Sequence, residues 1–103
     1  MYRAIEEKKT ELSHLCRVHR VQRLSIFGSA TSNHFDPSRS DLDFLVEFQP
    51  LSPAEHAEHY FGLAEDLKNL FDLEVDLVES APINNPYFRK AIEDTRIHLY
   101  DAA

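Results

Sequence analysis

The stretch "FGSATSNHFDPSRSDLDFLVEF", residues 27–48, decides how the rest of the chain is read. A Gly-Ser pair ends one apolar run, eleven residues rich in Ser, Asn, Asp and Pro follow, and Asp41-Leu42-Asp43 opens the next run. In "DLDFLVEF" the two-residue period puts Leu42, Phe44, Val46 and Phe48 on one face and Asp41, Asp43 and Leu45 on the other. That pattern predicts a strand in the middle of a sheet. Carboxylates two residues apart on a strand point the same way and repel each other unless a cation lies between them. Hard oxygen ligands favour Mg²⁺ or Mn²⁺, ions that keep some water and complete their shell with phosphate oxygens, as a triphosphate supplies.

Upstream, "VQRLSIFGS" alternates polar and apolar residues and stops at Gly28-Ser29, a short strand with a turn or short helix to follow. Before it, Ile5, Leu12, Leu15 and Cys16 recur at helical spacing, which predicts one packing helix over Met1 to His19 with Cys16 in the core. Downstream, Ser52, Pro53 and Glu55 give the best helix start in the chain, a capping box with proline at the first position. The face expected to pack is Ala57, Tyr60, Phe61, Ala64, Leu67 and Phe71, and the acidic residues Glu55, Glu58, Glu65 and Asp66 read as solvated. His56 and His59 read as part of an exposed polar face rather than a zinc site, because no third ligand is evident. "DLEVDLVES" is a third strand with Glu74 and Asp76 opposite its apolar face. Asn85 followed by Pro86 starts a short helix, and "RIHLY" adds a terminal strand. If the second and third strands pair, Asp41, Asp43 and Asp76 converge, with Gly28 and Ser29 supplying amides and a hydroxyl for phosphate.

With 103 residues the chain reads as a single domain, 1–103, large enough for a core that buries roughly 65% of the unfolded surface. A net charge of -7, from 11 Lys and Arg against 18 Asp and Glu, disfavours a bare nucleic-acid backbone as partner but admits a nucleotide that arrives with its metal. One cysteine excludes a disulfide framework and leads to the expectation of a reducing, cytoplasmic setting. No apolar run near 18 residues appears, so no membrane span is expected.

Gly28-Ser29, the eleven-residue interval, Asp41-Leu42-Asp43 and the later Asp76 together resemble the signature of the nucleotidyltransferase superfamily related to DNA polymerase β. The short chain and its ending "NPYFRKAIEDTRIHLYDAA" resemble the minimal nucleotidyltransferase (MNT) antitoxins that act beside HEPN-domain toxins. The resemblance implies an α/β (α+β) fold, a small mixed sheet flanked by helices. It also implies transfer of AMP from ATP to a tyrosine of a partner HEPN ribonuclease, within a hetero-oligomer. By position, Asp41, Asp43 and Asp76 become the catalytic, metal-binding carboxylates, and Gly28 and Ser29 hold the β- and γ-phosphates. Many relatives follow Gly-Ser with an Ala-Arg-Gly-like stretch. Here Ala30-Thr31-Ser32-Asn33 stands instead, and Arg39 is the candidate replacement. Two alternatives accompany this reading: an antitoxin that neutralises by occlusion alone, and nucleotidyl transfer to a small molecule.

Overall fold

Alternating apolar residues build the centre of the molecule from two antiparallel strands, β1 (Val21–Phe27) and β2 (Leu42–Phe48). The computed structural model describes residues 1–80 and 84–102; residues 81–83 and 103, which the single-domain reading spans, lie outside it. β3 (Val75–Glu79) pairs parallel to β2, and β4 (Ile97–Asp101) pairs antiparallel to β1, giving the order β3-β2-β1-β4 with β3 and β4 at the free edges. Parallel pairing demands a crossover, and α3 (Pro53–Phe71) supplies it between β2 and β3. Two N-terminal helices, α1 (Arg3–Glu7) and α2 (Lys9–Val18), and α4 (Pro86–Thr95) complete the fold, the mixed α/β arrangement that the resemblance implies. No described helix is long and apolar enough to cross a membrane.

The two faces of the sheet are used differently. Leu24, Ile26, Leu42, Phe44 and Val46 are fully buried with Ile5, Leu12, Cys16, Leu63 and Leu67 in the main core. On the opposite face Phe27, Leu45 and Ile92 form a smaller cluster, with Val78 packed beside it, so α4 covers only part of that side. The expected alternation of β2 is therefore realised: its even-numbered residues face the main core and its odd-numbered residues share the side of α4.

The start of α3 is the capping box its sequence predicts. Ser52 Oγ accepts from the Glu55 amide at 3.3 Å, and the Glu55 carboxylate accepts from the Ser52 amide at 3.1 Å. The Ser52 amide, with the Ser52 hydroxyl beside it, holds the Glu55 carboxyl below the usual carboxylate range. At the other end Asp72 adopts a left-handed conformation, and Lys8 Nζ donates to the Leu70 carbonyl at 2.7 Å, placing a cation where the helix leaves carbonyls unpaired. The single N-terminal helix expected from spacing is interrupted at Lys8, the residue that makes this contact.

The buried face of α3 differs from the expected one. Tyr60, Leu63, Leu67 and Phe71 turn to the sheet, whereas Phe61 is 69% exposed and Ala57 is exposed. A stripe at spacings of three, four and four excludes a neighbour one residue along. Asp66 and His59 likewise leave the solvated face to hold His19, which is 9% exposed. His19 Nε2 lies 2.6 Å from Asp66 Oδ2, and its Nδ1 lies 3.3 Å from His59 Nδ1. His56 pairs separately with Glu79, so the two histidines of α3 serve different contacts.

Gly62 is the space that lets the His19 ring approach α3, because a Cβ there would stand 2.8 Å from His19 Cε1. Alanine in place of glycine ordinarily stabilises a helix by ~1 kcal/mol. At this position Gly62→Ala is expected to destabilise by about 1–3 kcal/mol, as overpacking does, measured by urea unfolding. A second expectation concerns Cys16, whose burial pushes the thiol up to about 12. It should resist iodoacetamide at pH 8 in the native protein and alkylate on denaturation, read by intact mass.

Candidate active site

The N-terminal end of β2 meets the C-terminal end of β1 and the N-terminal end of β3, and the five residues singled out from the sequence gather there. Asp43, on β2, pairs with Phe27 of β1 on one side and with Asp76 of β3 on the other. Cross-strand partners share a face, so Asp43 and Asp76 lie side by side on the side of α4. Asp41 stands two residues earlier, exposed and just ahead of the strand rather than within it. Asp43 is half-buried and Asp76 exposed.

Gly28 makes the approach of Asp43 feasible. Its φ is +75°, and a Cβ on it would lie 2.6 Å from Asp43 Oδ2. Both the backbone conformation and the closeness of the carboxylate require a residue without a side chain. Gly28 begins a single 3₁₀ turn, Gly28–Thr31, that carries Ser29 exposed to solvent. The turn is held from three directions. Thr31 Oγ1 donates to the Gly28 carbonyl at 2.8 Å, the Tyr2 amide donates to the Ala30 carbonyl at 2.8 Å, and the Gly28 amide donates to Thr95 Oγ1 at 2.8 Å. The Gly28 amide is thus engaged by the protein itself, which leaves Ser29 as the exposed group of the pair.

Burial raises the Asp43 carboxyl above the usual range, and the nearby charges of Asp76 and then Asp41 raise it further. Two carboxylates whose charges both bear on Asp43 leave an oxygen-only surplus of negative charge there, which fits a hard divalent cation. No group of three His, Cys, Asp or Glu side chains among the described residues is gathered to hold an ion. A site built from one or two carboxylates and substrate phosphates matches the usual binding of Mg²⁺. Arg39, the candidate substitute for the family's arginine, is held 3.6 Å from Asp36, and its side chain is 84% exposed. It lines a 480 Å³ groove with Ser40, Asp41, Lys68 and Glu74, beside the carboxylates.

Sequence reasoning missed Thr95. Its partnership with Gly28 joins the end of α4 to the end of β1, 67 residues apart, and no local pattern signals such a contact.

Asp43→Asn removes a charge that burial and two neighbours disfavour, so it is expected to raise the melting temperature of the protein in chelator. A carboxyl raised on folding binds its proton more readily folded than unfolded, which favours the folded state at low pH. That advantage is lost as pH rises from the ordinary value of 3.8 through the raised value. The gap between variant and wild type should open across that window and stay open above it, measured by thermal unfolding from pH 3 to 8.

Residues 5–99 match the nucleotidyltransferase domain family. Two proteins of Methanocaldococcus jannaschii assigned as protein adenylyltransferases are 36% and 33% identical over 81 residues, 79% of this chain and 79% of each relative. A structure described as a minimal nucleotidyltransferase superposes with a TM-score of 0.66 at 25% identity, covering 93% of both chains. A chain from the complex of tri-AMPylated Shewanella oneidensis HEPN toxin with MNT antitoxin superposes at 0.61 with 20% identity, over 94% of this chain and 72% of that one. A toxin–antitoxin crystal structure with AMP-PNP gives 0.66 at 22% identity, over 91% and 73%. The last two likenesses are of fold alone. The domain match and the two relatives establish that the chain belongs to the nucleotidyltransferase family.

Proposed function

We propose that this chain is a Mg²⁺-dependent protein adenylyltransferase that transfers AMP from ATP to a tyrosine hydroxyl of a partner HEPN ribonuclease toxin and so neutralises it. The observation that carries the reading is the pairing of Asp43 with Asp76, with Asp41 beside them and Gly28 beneath. Support for the protein acceptor comes from the relatives assigned as protein adenylyltransferases and from the fold neighbour found with an AMPylated HEPN toxin. The neighbour with AMP-PNP supports ATP as donor.

Asp41, Asp43 and Asp76 would hold the metal, which would neutralise charge on the reacting phosphates. Ser29, exposed on its turn, faces the β- and γ-phosphates with its hydroxyl. Asp76, exposed at the edge of the sheet, takes the proton of the attacking tyrosine hydroxyl. A bond then forms between the tyrosine oxygen and the α-phosphorus as the bond to the β-phosphate oxygen breaks, and pyrophosphate leaves. Since there is little covalent work for the protein in such a step, positioning and charge supply most of the acceleration. The acceptor must come from the partner in a hetero-oligomer. The same reading treats residues 1–103 as one domain, acting in the cytoplasm.

A second reading, neutralisation by occlusion without transfer, draws on the missing arginine after Gly28-Ser29 and on Arg39, the candidate replacement, which pairs with Asp36. The intact mass of the partner toxin, co-expressed with wild type and with Asp41→Asn, separates the two. One or more AMP units that require Asp41 are the expected result, with the far-ultraviolet circular dichroism of the variant unchanged. A partner that binds stably and is never modified overturns transfer and favours occlusion. Chelation of Mg²⁺ by EDTA is expected to abolish the same modification in a reconstituted reaction.

A further inference from the structure

We propose that Thr95 is a positioning residue for the triphosphate: its hydroxyl fixes the orientation of the Gly28–Thr31 turn and thereby the place of Ser29. This rests on the reading of that turn as the holder of the β- and γ-phosphates. The Gly28 amide donates to Thr95 Oγ1 at 2.8 Å, and the same hydroxyl donates to the Ala91 carbonyl at 3.0 Å. With its proton committed to the preceding turn of α4, the Thr95 oxygen has its lone pairs left for Gly28, so the direction of the bond is set.

A glycine has no side chain to select one backbone well, and φ of +75° is only one of the conformations open to it. The turn therefore needs restraint from outside. The Thr31 hydroxyl bonds within the turn, so it cannot anchor the turn to the sheet. The Tyr2 amide reaches only Ala30, past Ser29. Thr95 alone of these three reaches the residue before Ser29 from a separate element.

That element is itself fixed on both sides of Thr95. Ile92 is 2% exposed in the small cluster with Phe27 and Leu45, and Arg96 Nε donates to Ser25 Oγ at 3.2 Å. Phe88 meets Phe27 edge to face with ring centroids 6.1 Å apart. Thr95 thus holds Gly28 from an element that is packed on both sides, the arrangement a binding turn requires.

Thr95→Val keeps the shape and deletes the hydroxyl, Thr95→Ala deletes it without any added bulk, and Thr95→Ser restores it. Each is made in the full chain and compared with wild type for exchange of the Gly28 amide by NMR and for affinity toward AMP-PNP and AMP, both with Mg²⁺. The valine and alanine variants are expected to speed Gly28 exchange and weaken AMP-PNP about tenfold, as loss of one good hydrogen bond does. AMP lacks the two outer phosphates and should lose less than about twofold, a ratio that general loosening of the fold does not produce. Serine should restore both readouts. AMP-PNP binding unchanged in the valine and alanine variants, or AMP weakened as much as AMP-PNP, overturns the role of Thr95. Wild-type protein that binds AMP-PNP no better than AMP overturns the phosphate-holding turn and the role of Thr95 with it.

Discussion

The Asp43 carboxylate lies against the bare Cα of Gly28, and the geometry of the site follows from that contact. The antiparallel register of β1 and β2 puts Phe27 opposite Asp43, so the residue after Phe27 must turn away beside the carboxylate. Any side chain at position 28 would occupy the place of the carboxylate oxygen. The parallel register of β2 and β3 then brings Asp76 to the other side of Asp43. Two strand registers and one absent methyl group thus bring Asp43 and Asp76 together beside the turn, and Asp41 follows at the end of the loop that leads into β2. Since a slip of one residue would carry every side chain to the other face, the buried residues of β2 also fix where the acids point.

Stability and chemistry are divided between the two faces of the sheet. The side of α2 and α3 holds the fully buried Leu24, Ile26, Phe44, Leu63 and Leu67, where burying each large side chain contributes roughly 1.5–3 kcal/mol. The other side carries a small cluster around Ile92, and there the chain tolerates half-buried and exposed carboxylates. A charge pattern that opposes folding is placed where little of the core depends on it. This separation lets a chain of 103 residues keep an acidic centre next to its sheet.

The strands and helix starts were legible in the sequence because each rests on a short-range rule. Alternation identified β2, and Ser52 with Glu55 identified the start of α3, since the cap involves residues three apart. The approach of the acids was legible once the strands were, because spacing fixes the face. What was not legible depended on tertiary packing. Phe61 and Leu63 compete for one stripe of α3, and the sheet rather than the helix decides between them. His19 recruits Asp66 and His59 from residues 40 to 47 positions away, so no local pattern marks them as partners. Thr95 escaped for the same reason, and Arg39 showed its pairing with Asp36 only when the intervening turn was seen.

The two outer strands, β3 and β4, are each five residues long and form the margins of the described sheet. β3 carries Asp76 and Glu79, β4 ends in the exposed Asp101, and the pairing of β4 with β1 shifts register between Leu24 and Ser25. Short, acidic and irregular margins disfavour edge-to-edge pairing of one copy with the next. A second copy of the chain thus finds little continuous edge on which a sheet could extend.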